Sequence, residues 1–363
     1  MRAAFARYTL DFIQPGGTSR GVLYKKDTYF LKLWDESVPE IYGIGECALF
    51  KGLSAEDDDS YEDKLRELCM NVAEGKETDL SAYSSILFGF ETAILDYSNG
   101  CRRVCFDGDF VKGKAAIPIN GLVWMGTRDE MIARIDEKIA AGFRTIKLKI
   151  GAIDFNQELE VIKHIRNRYS AEDLTIRVDA NGGFTKDNVM QRLDELSKYS
   201  IHSIEQPIMA GQWEEMSRVC ASSPIAVALD EELIGITNPM VMMELLKSIR
   251  PHYIILKPSL MGGFSGSTDW LKMAAQFNIG GWITSALESN IGLNALAQWV
   301  STLQVGIPQG LGTGALYSNN ILSPLEQTKD YLWSNPDRNW NIPEFDWVKY
   351  IVEDENNAKW QIV

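Results

Sequence analysis

Lys147, Lys149, Asp179, Glu205, Asp230 and Lys257 are the residues of this chain whose types and spacing could do chemistry. Each ends or follows a short apolar run. Lys147 and Lys149 sit in Thr145-Ile146-Lys147-Leu148-Lys149-Ile150, and Asp179 ends Ile176-Arg177-Val178-Asp179. Glu205 follows Ser203-Ile204, Asp230 follows Val227-Ala228-Leu229, and Lys257 follows Ile254-Ile255-Leu256. The steps from 149 to 179, 205, 230 and 257 are each near the ~30 residues of one strand–helix unit in a parallel barrel. A charged position therefore recurs once per unit, at the C-terminal end of a strand, where barrel active sites lie.

Three carboxylates brought close together repel one another unless a cation sits between them. Oxygen donors without thiolate or imidazole suit a hard cation, Mg²⁺ before Zn²⁺, with Mn²⁺ as the expected substitute. Asp179, Glu205 and Asp230 are the candidate ligands. Such a cation can bind a substrate carboxylate and stabilise the charge formed when the α-carbon loses its proton. Lys147 and Lys149 are two apart on one strand, so their side chains point the same way. A lysine beside a metal and a second lysine has a depressed pKa and can act as a base. The bland alternative is an accidental ring of ion pairs, which would bury many charges without a task. Asn181, two beyond Asp179, points to the same side and could hydrogen-bond a substrate or merely pack at the rim.

The elements that must position these residues form two patterns. Residues 8–13, 29–34 and 42–48 are β-rich, with Pro15-Gly16-Gly17 expected as a loop. Residues 62–75 and 84–97 carry helical apolar spacing. Strands followed by helices predict an α+β domain over residues 1–113. From about residue 114 to 322 the pattern alternates between strand and helix. Strands are expected at 117–123, 145–150, 174–178, 203–205, 225–229, 253–256 and 281–284, with helices such as 154–168 and 188–198 between them. Seven or eight such units fit a TIM-like (β/α) barrel in the α/β class better than an open sheet. Residues 310–316 would be the last strand. Residues 323–363 contain Trp333, Trp340, Trp347 and Trp360, too apolar for a free tail, and are expected to pack back on the N-terminal domain.

Composition excludes other classes. A net charge of -14 repels phosphate backbones and anionic membrane surfaces, so neither nucleic acid nor membrane is an expected partner. Five scattered cysteines make no disulfide framework and fit a reducing compartment. Three histidines are too few for a histidine-rich metal site or a histidine-based triad to be assembled readily. No signal-like N-terminus or run of about eighteen apolar residues occurs, so a cytoplasmic enzyme is expected. Nothing in the pattern assigns an oligomeric state.

With these motifs in view, the chain resembles the enolase superfamily, in its muconate-lactonizing subgroup. Lys147-Leu148-Lys149 resembles the lysine pair on the second barrel strand. Asp179, Glu205 and Asp230 resemble the Mg²⁺ ligands on strands three to five, and Lys257 the lysine on the sixth. The resemblance implies a capping domain and a modified (β/α)7β barrel.

Within the subgroup the o-succinylbenzoate synthase family is most similar, through Gly45-Glu46-Cys47-Ala48-Leu49, Phe88-Gly89-Phe90-Glu91-Thr92-Ala93 and Ser285-Ala286-Leu287-Glu288-Ser289. This implies a carbon–oxygen lyase that dehydrates 2-succinyl-6-hydroxy-2,4-cyclohexadiene-1-carboxylate in menaquinone biosynthesis. Lys149 would take the α-proton, Lys147 would support the charge formed, and Lys257 would stabilise charge. Ser285 would hold the succinyl carboxylate, as its family counterpart does, or cap a helix. Glu288 would orient Lys257 or be solvated. Gly262-Gly263 would allow backbone approach to a ligand or only make a turn. Arg20 is read as a surface residue, and the loops at 15–20 and 50–54 as covers of the barrel mouth. The alternative is an N-succinylamino acid racemase or dipeptide epimerase using Lys149 and Lys257 as two bases. Gly312-Thr313-Gly314 lacks the Asp-x-Asp of dipeptide epimerases. A non-catalytic binding protein would not need both lysines.

Overall fold

β-branched and aromatic residues near the N-terminus form three antiparallel strands: β1 (Arg2–Thr18), β2 (Gly21–Trp34) and β3 (Tyr42–Cys47). The computed structural model describes residues 1–18, 21–151, 153–303, 305–352 and 358–362. Arg20 lies outside them. The expected loop at Pro15-Gly16-Gly17 is instead strand. The register shifts between Asp11 and Gly16, after which Gly16 and Gly17 pair with Leu23 and Val22. A bulge of this kind absorbs a proline that cannot donate to the ladder. The resulting arm reaches the barrel rim, where the Met125 amide donates to the Gly17 carbonyl at 3.2 Å.

Helices α1 (Tyr61–Glu74) and α2 (Ser84–Ser98) cover this sheet. Helix α1 buries Tyr61, Leu65, Leu68 and Cys69, one face at helical spacing. Helix α2 approaches β3 so closely that a Cβ on Gly45 would lie 1.9 Å from the Gly89 carbonyl oxygen.

The second half is a parallel barrel. After β4 (Ile117–Pro118), which lies outside the parallel sheet, its elements in order are β5 (Gly121–Val123), α3 (Arg128–Ala140), β6 (Thr145–Lys149), α4 (Phe155–Arg166), β7 (Thr175–Asp179) and α5 (Val189–Ser197). There follow β8 (Ser203–Glu205), α6 (Trp213–Ser222), β9 (Ala226–Leu229), α7 (Pro239–Ile249), β10 (Tyr253–Leu256), α8 (Gly263–Gln276), β11 (Gly280–Ile283) and α9 (Asn290–Thr302). Strands β5 to β11 lie side by side in chain order, each parallel to the next. Apolar residues such as Ile146, Leu148, Ile176, Val178, Ile204 and Val227 are fully buried between the strands and the outer helices.

Closure differs from the expected strand at 310–316. Among the described residues, Gln309 and Gly310 bridge the gap, Gln309 to Ile119 and Gly310 to Thr284, both parallel. A Cβ on Gly310 would meet the Thr284 hydroxyl at 1.9 Å, so glycine permits this approach. The architecture is therefore a modified barrel of seven parallel strands with a two-residue closing segment, beside an antiparallel α+β layer.

After the barrel the chain divides its contacts. Strand β13 (Tyr331–Ser334) pairs with β4 and on its other side with β12 (Leu325–Thr328), while β14 (Val348–Val352) and β15 (Ala358–Ile362) extend the first sheet at β1. Trp340 and Trp347 pack against the Ala6, Phe30 and Ile44 cluster, and Trp360 against the Phe5 and Leu31 cluster. Among the described residues no helix is long and apolar enough to cross a membrane.

Candidate active site

Register sets the site. Lys149 of β6, Asp179 of β7 and Glu205 of β8 stand abreast in one row across three strands. Asp230 follows β9 and Lys257 follows β10, so all five lie at the C-terminal end of the sheet. Lys147, one strand pitch below Lys149, points to the same side.

The carboxylates are buried: Asp179 and Asp230 have no exposed surface and Glu205 is 2% exposed. The lysines are interposed among them. Lys147 Nζ lies 2.8 Å from Asp179 Oδ2 and donates to Glu205 Oε1 at 2.6 Å. Lys149 Nζ donates to Asp179 Oδ2 at 2.6 Å and to Asn181 Oδ1 at 2.8 Å. Lys257 donates to Asp230. Among the described residues, no three His, Cys, Asp or Glu side chains are drawn together at metal-holding spacing as they stand.

Burial opposes charge on Asp179, yet Lys147 and Lys149 hold its pKa well below the ordinary carboxylate value. Burial and then the Asp179 charge push Glu205 well above it. Burial also works against Lys147 and Lys257, but the carboxylates outweigh it. Asp179, Glu205 and Asp230 raise Lys147, and Asp230 leads for Lys257. Each of these two lysines is raised because it is paired with carboxylates. The donor set fits a hard divalent cation in two ways. It is all oxygen, and Asp230 Oδ1 is buried with no hydrogen-bond partner among the described residues.

Above the lysines lies a cleft. Lys147, Lys149, Lys257 and Asn181 line its charged side, and Phe50, Leu53, Leu122, Trp124 and Leu287 its apolar wall. Phe50 and Leu53 come from the expected 50–54 loop. Asn181 has a φ of 43°, a left-handed conformation that asparagine tolerates. Its side chain donates to Glu231 Oε1 at 2.8 Å.

Ser285 lines the cleft, but its hydroxyl proton is committed to Glu288 Oε2 at 2.6 Å. Glu288 is fully buried and also accepts from Ser259 at 2.6 Å. It is not solvated, and its two carboxylate oxygens serve serines rather than Lys257. Gly262 and Gly263, both at positive φ, face α2. The Gly262 amide donates to Ser84 Oγ at 2.9 Å, and a Cβ on Gly263 would meet Glu91 Oε2 at 2.2 Å.

Several residues of the site escape strand-end spacing. Glu231 touches Asn181 and is signalled only by the Asp230-Glu231-Glu232 run. Gln206, at a φ of 37°, accepts from the Asp230 amide at 3.2 Å and donates to Glu232. Asn120, Trp124 and Thr313 reach the cleft from irregular segments with no periodic signal.

Comparison with known proteins gives the family and the fold. The family described as enolase C-terminal domain-like matches residues 130–320. The o-succinylbenzoate synthase of Desulfotalea psychrophila is 44% identical over 359 residues, covering 90% of this chain and 96% of that protein. The crystal structure of MenC from the same organism superposes with a TM-score of 0.82 at 38% identity, over 92% of this chain and 99% of that one. A dipeptide epimerase from Enterococcus faecalis, solved with Mg and the dipeptide L-Leu-L-Tyr, shares the fold at a TM-score of 0.78 and 16% identity, over 92% and 96% of the two chains. The chain belongs to the enolase superfamily.

Proposed function

We propose that this chain is a dehydratase of the o-succinylbenzoate synthase type. It converts 2-succinyl-6-hydroxy-2,4-cyclohexadiene-1-carboxylate to 2-succinylbenzoate and water, with Mg²⁺ as cofactor. The observation that carries this reading is the placing of Lys149 and Lys257 on one cleft above three buried carboxylates. The 44% identity to a synthase of that name over nearly the whole chain selects the reaction.

Asp179, Glu205 and Asp230 would hold the cation. When bound, it would supply positive charge toward the substrate's ring carboxylate. Lys149 takes the α-proton through Nζ. Lys147, beneath it, supports negative charge on the carboxylate oxygens as that proton leaves. Lys257 lies beyond Asp230 and stabilises charge without moving a proton. The C–O bond to the ring hydroxyl then breaks, and the proton on Lys149 goes to the departing oxygen, so the ring becomes aromatic and one water is released. Asn181, held by Lys149 and Glu231, keeps Lys149 Nζ aimed, and Lys149 acts as base in its neutral amine form. Leu122, Trp124, Phe50 and Leu53 exclude water from the ring. Ser285, whose proton already serves Glu288, faces the succinyl arm as part of a turn whose shape matters more than its hydroxyl.

The test is loss of the cyclohexadiene absorbance with Mg²⁺ present, run beside deuterium exchange into an N-succinylamino acid. Dehydration is expected. Exchange without dehydration would install the racemase reading instead.

A further inference from the structure

The loop that brings Phe50 and Leu53 to the cleft also carries Glu56, a buried carboxyl group that the proposed chemistry does not use. Residues 50–57 brace one another. The Ser54 amide donates to the Phe50 carbonyl at 2.8 Å, and the Phe50 amide donates to Ser54 Oγ at 2.9 Å. The Gly52 amide donates to Asp57 Oδ2 at 2.6 Å. With the loop tied to itself in this way, whatever holds its far end also places its two cleft-facing residues.

Glu56 holds that end. It is 3% exposed, and its Oε1 accepts from the Ser85 amide at 2.8 Å. Ser85 lies in the first turn of α2, where backbone amides have no partner within the helix. A helix commonly takes such an acceptor from its own N-cap side chain. Here the N-cap is Tyr83, whose side chain makes no capping bond. Glu56 supplies the acceptor from another segment instead. Burial pushes the Glu56 carboxyl up from the ordinary glutamate value, while the Ser85 amide works the other way. A carboxylate and a neutral carboxyl group both offer an acceptor oxygen, so the bond to Ser85 needs no particular charge.

The same turn of α2 holds the barrel as well. Ser84 Oγ accepts from the Gly262 amide at 2.9 Å, close after the turn Pro258–Leu260 that follows Lys257. The Gly235 amide donates to the Leu260 carbonyl at 3.1 Å, and a Cβ on Gly235 would lie 2.6 Å from the Ala55 Cβ. Neighbouring residues of one helical turn therefore carry the cap's wall of the cleft and the segment next to Lys257.

We propose that Glu56 is a positioning residue: by capping α2 it fixes the 50–57 loop, and so sets how closely Phe50 and Leu53 approach the ring of the substrate. The identity of that ring rests on the dehydratase reading, whereas the anchoring of the loop does not.

The experiment compares Glu56→Met, Glu56→Asp, Glu56→Gln and Glu91→Ala by steady-state dehydration and by amide hydrogen exchange. E56M keeps most of the volume and removes the acceptor. It is expected to lower protection at the Leu53 and Ser54 amides about tenfold. It should raise KM about tenfold while kcat changes less than about threefold, the pattern of a lost contact made equally to substrate and transition state. E56Q keeps an acceptor and should stay near the parent in both. E56D draws the acceptor back and should change both in the direction of E56M, which decides the matter should E56M not fold. E91A removes a cap that α2 gives to α8 and leaves the loop alone, so KM should stay within about twofold of the parent. Parental KM and protection in E56M, or in E56D where E56M does not fold, overturn the proposal. So does an E56Q protein as impaired as E56M, or an E91A protein whose KM rises as far. If the unmodified protein does not dehydrate the diene, the dehydratase reading falls and the exchange data still decide whether Glu56 holds the loop.

Discussion

Lys147 and Lys149 stand two residues apart on one strand yet meet different partners. Lys147 is held between Asp179 and Glu205, while Lys149 reaches Asp179 and the cleft-lining Asn181. In the proposed mechanism that difference gives proton transfer to Lys149. Lys149→Ala should lower kcat by about 10² to 10⁴, read from initial rates with Mg²⁺ saturating. Lys257→Met should lower turnover by about 10², the scale of one lost charge-stabilising group, without abolishing α-proton loss. A Lys257→Met protein as inactive as Lys149→Ala would make Lys257 a proton carrier as well. Asp230→Asn should weaken Mg²⁺ binding in titration calorimetry, because one of three carboxylates is gone. Unchanged affinity would remove Asp230 from the ligand set. These six charged residues were legible because barrel strands are short, and each ends in a charge at the pitch of one unit. Gln206 and Asn120 were not, since they stand on irregular segments that carry no strand-end period.

At the scale of elements, α2 joins cap and barrel. Glu91 near its middle accepts from the Phe264 amide at 2.6 Å and the Ser265 amide at 3.2 Å, the first turn of α8. It acts as a helix cap supplied by another element, so Glu91→Ala should cost about 1 to 2 kcal/mol, measured as a lower denaturant midpoint at constant slope. At the opposite end of the barrel His202 stacks on Tyr253 with ring centroids 5.5 Å apart. Burial, and then Arg177, hold its pKa below the ordinary histidine value. A depressed folded pKa means that the unfolded chain binds more protons below pH ~6.5, so stability should rise with pH through that window. The His202 contribution is present above about pH 6.5 and is lost as pH falls through the lower folded value. Denaturant midpoints between pH 5 and pH 7.5 should show this slope, and His202→Gln should flatten it. An unchanged slope would place the acid sensitivity elsewhere. The parallel strands were readable as apolar runs. Closure at Gln309 and Gly310 was not, because two bridging residues carry no period.

In the whole molecule, an antiparallel layer with two helices lies against a barrel whose mouth it helps to wall, through Phe50, Leu53 and the arm at Gly17. The alternation of strand and helix was plain from residue 114 onward. The destination of the tail was less so: apolar content says that it packs, but only pairing shows that β13 joins β4 while β14 joins β1. The site is thus shared between two layers, and in the proposed reading the carboxylates at its base hold the cation. The most direct measurement of the central claim is dehydration of 2-succinyl-6-hydroxy-2,4-cyclohexadiene-1-carboxylate by the full chain and by Lys149→Ala, each with Mg²⁺ and with excess chelator. Aromatic product should form only with the unmodified chain and Mg²⁺. Near-normal turnover in the Lys149→Ala protein, or in chelator, would contradict it.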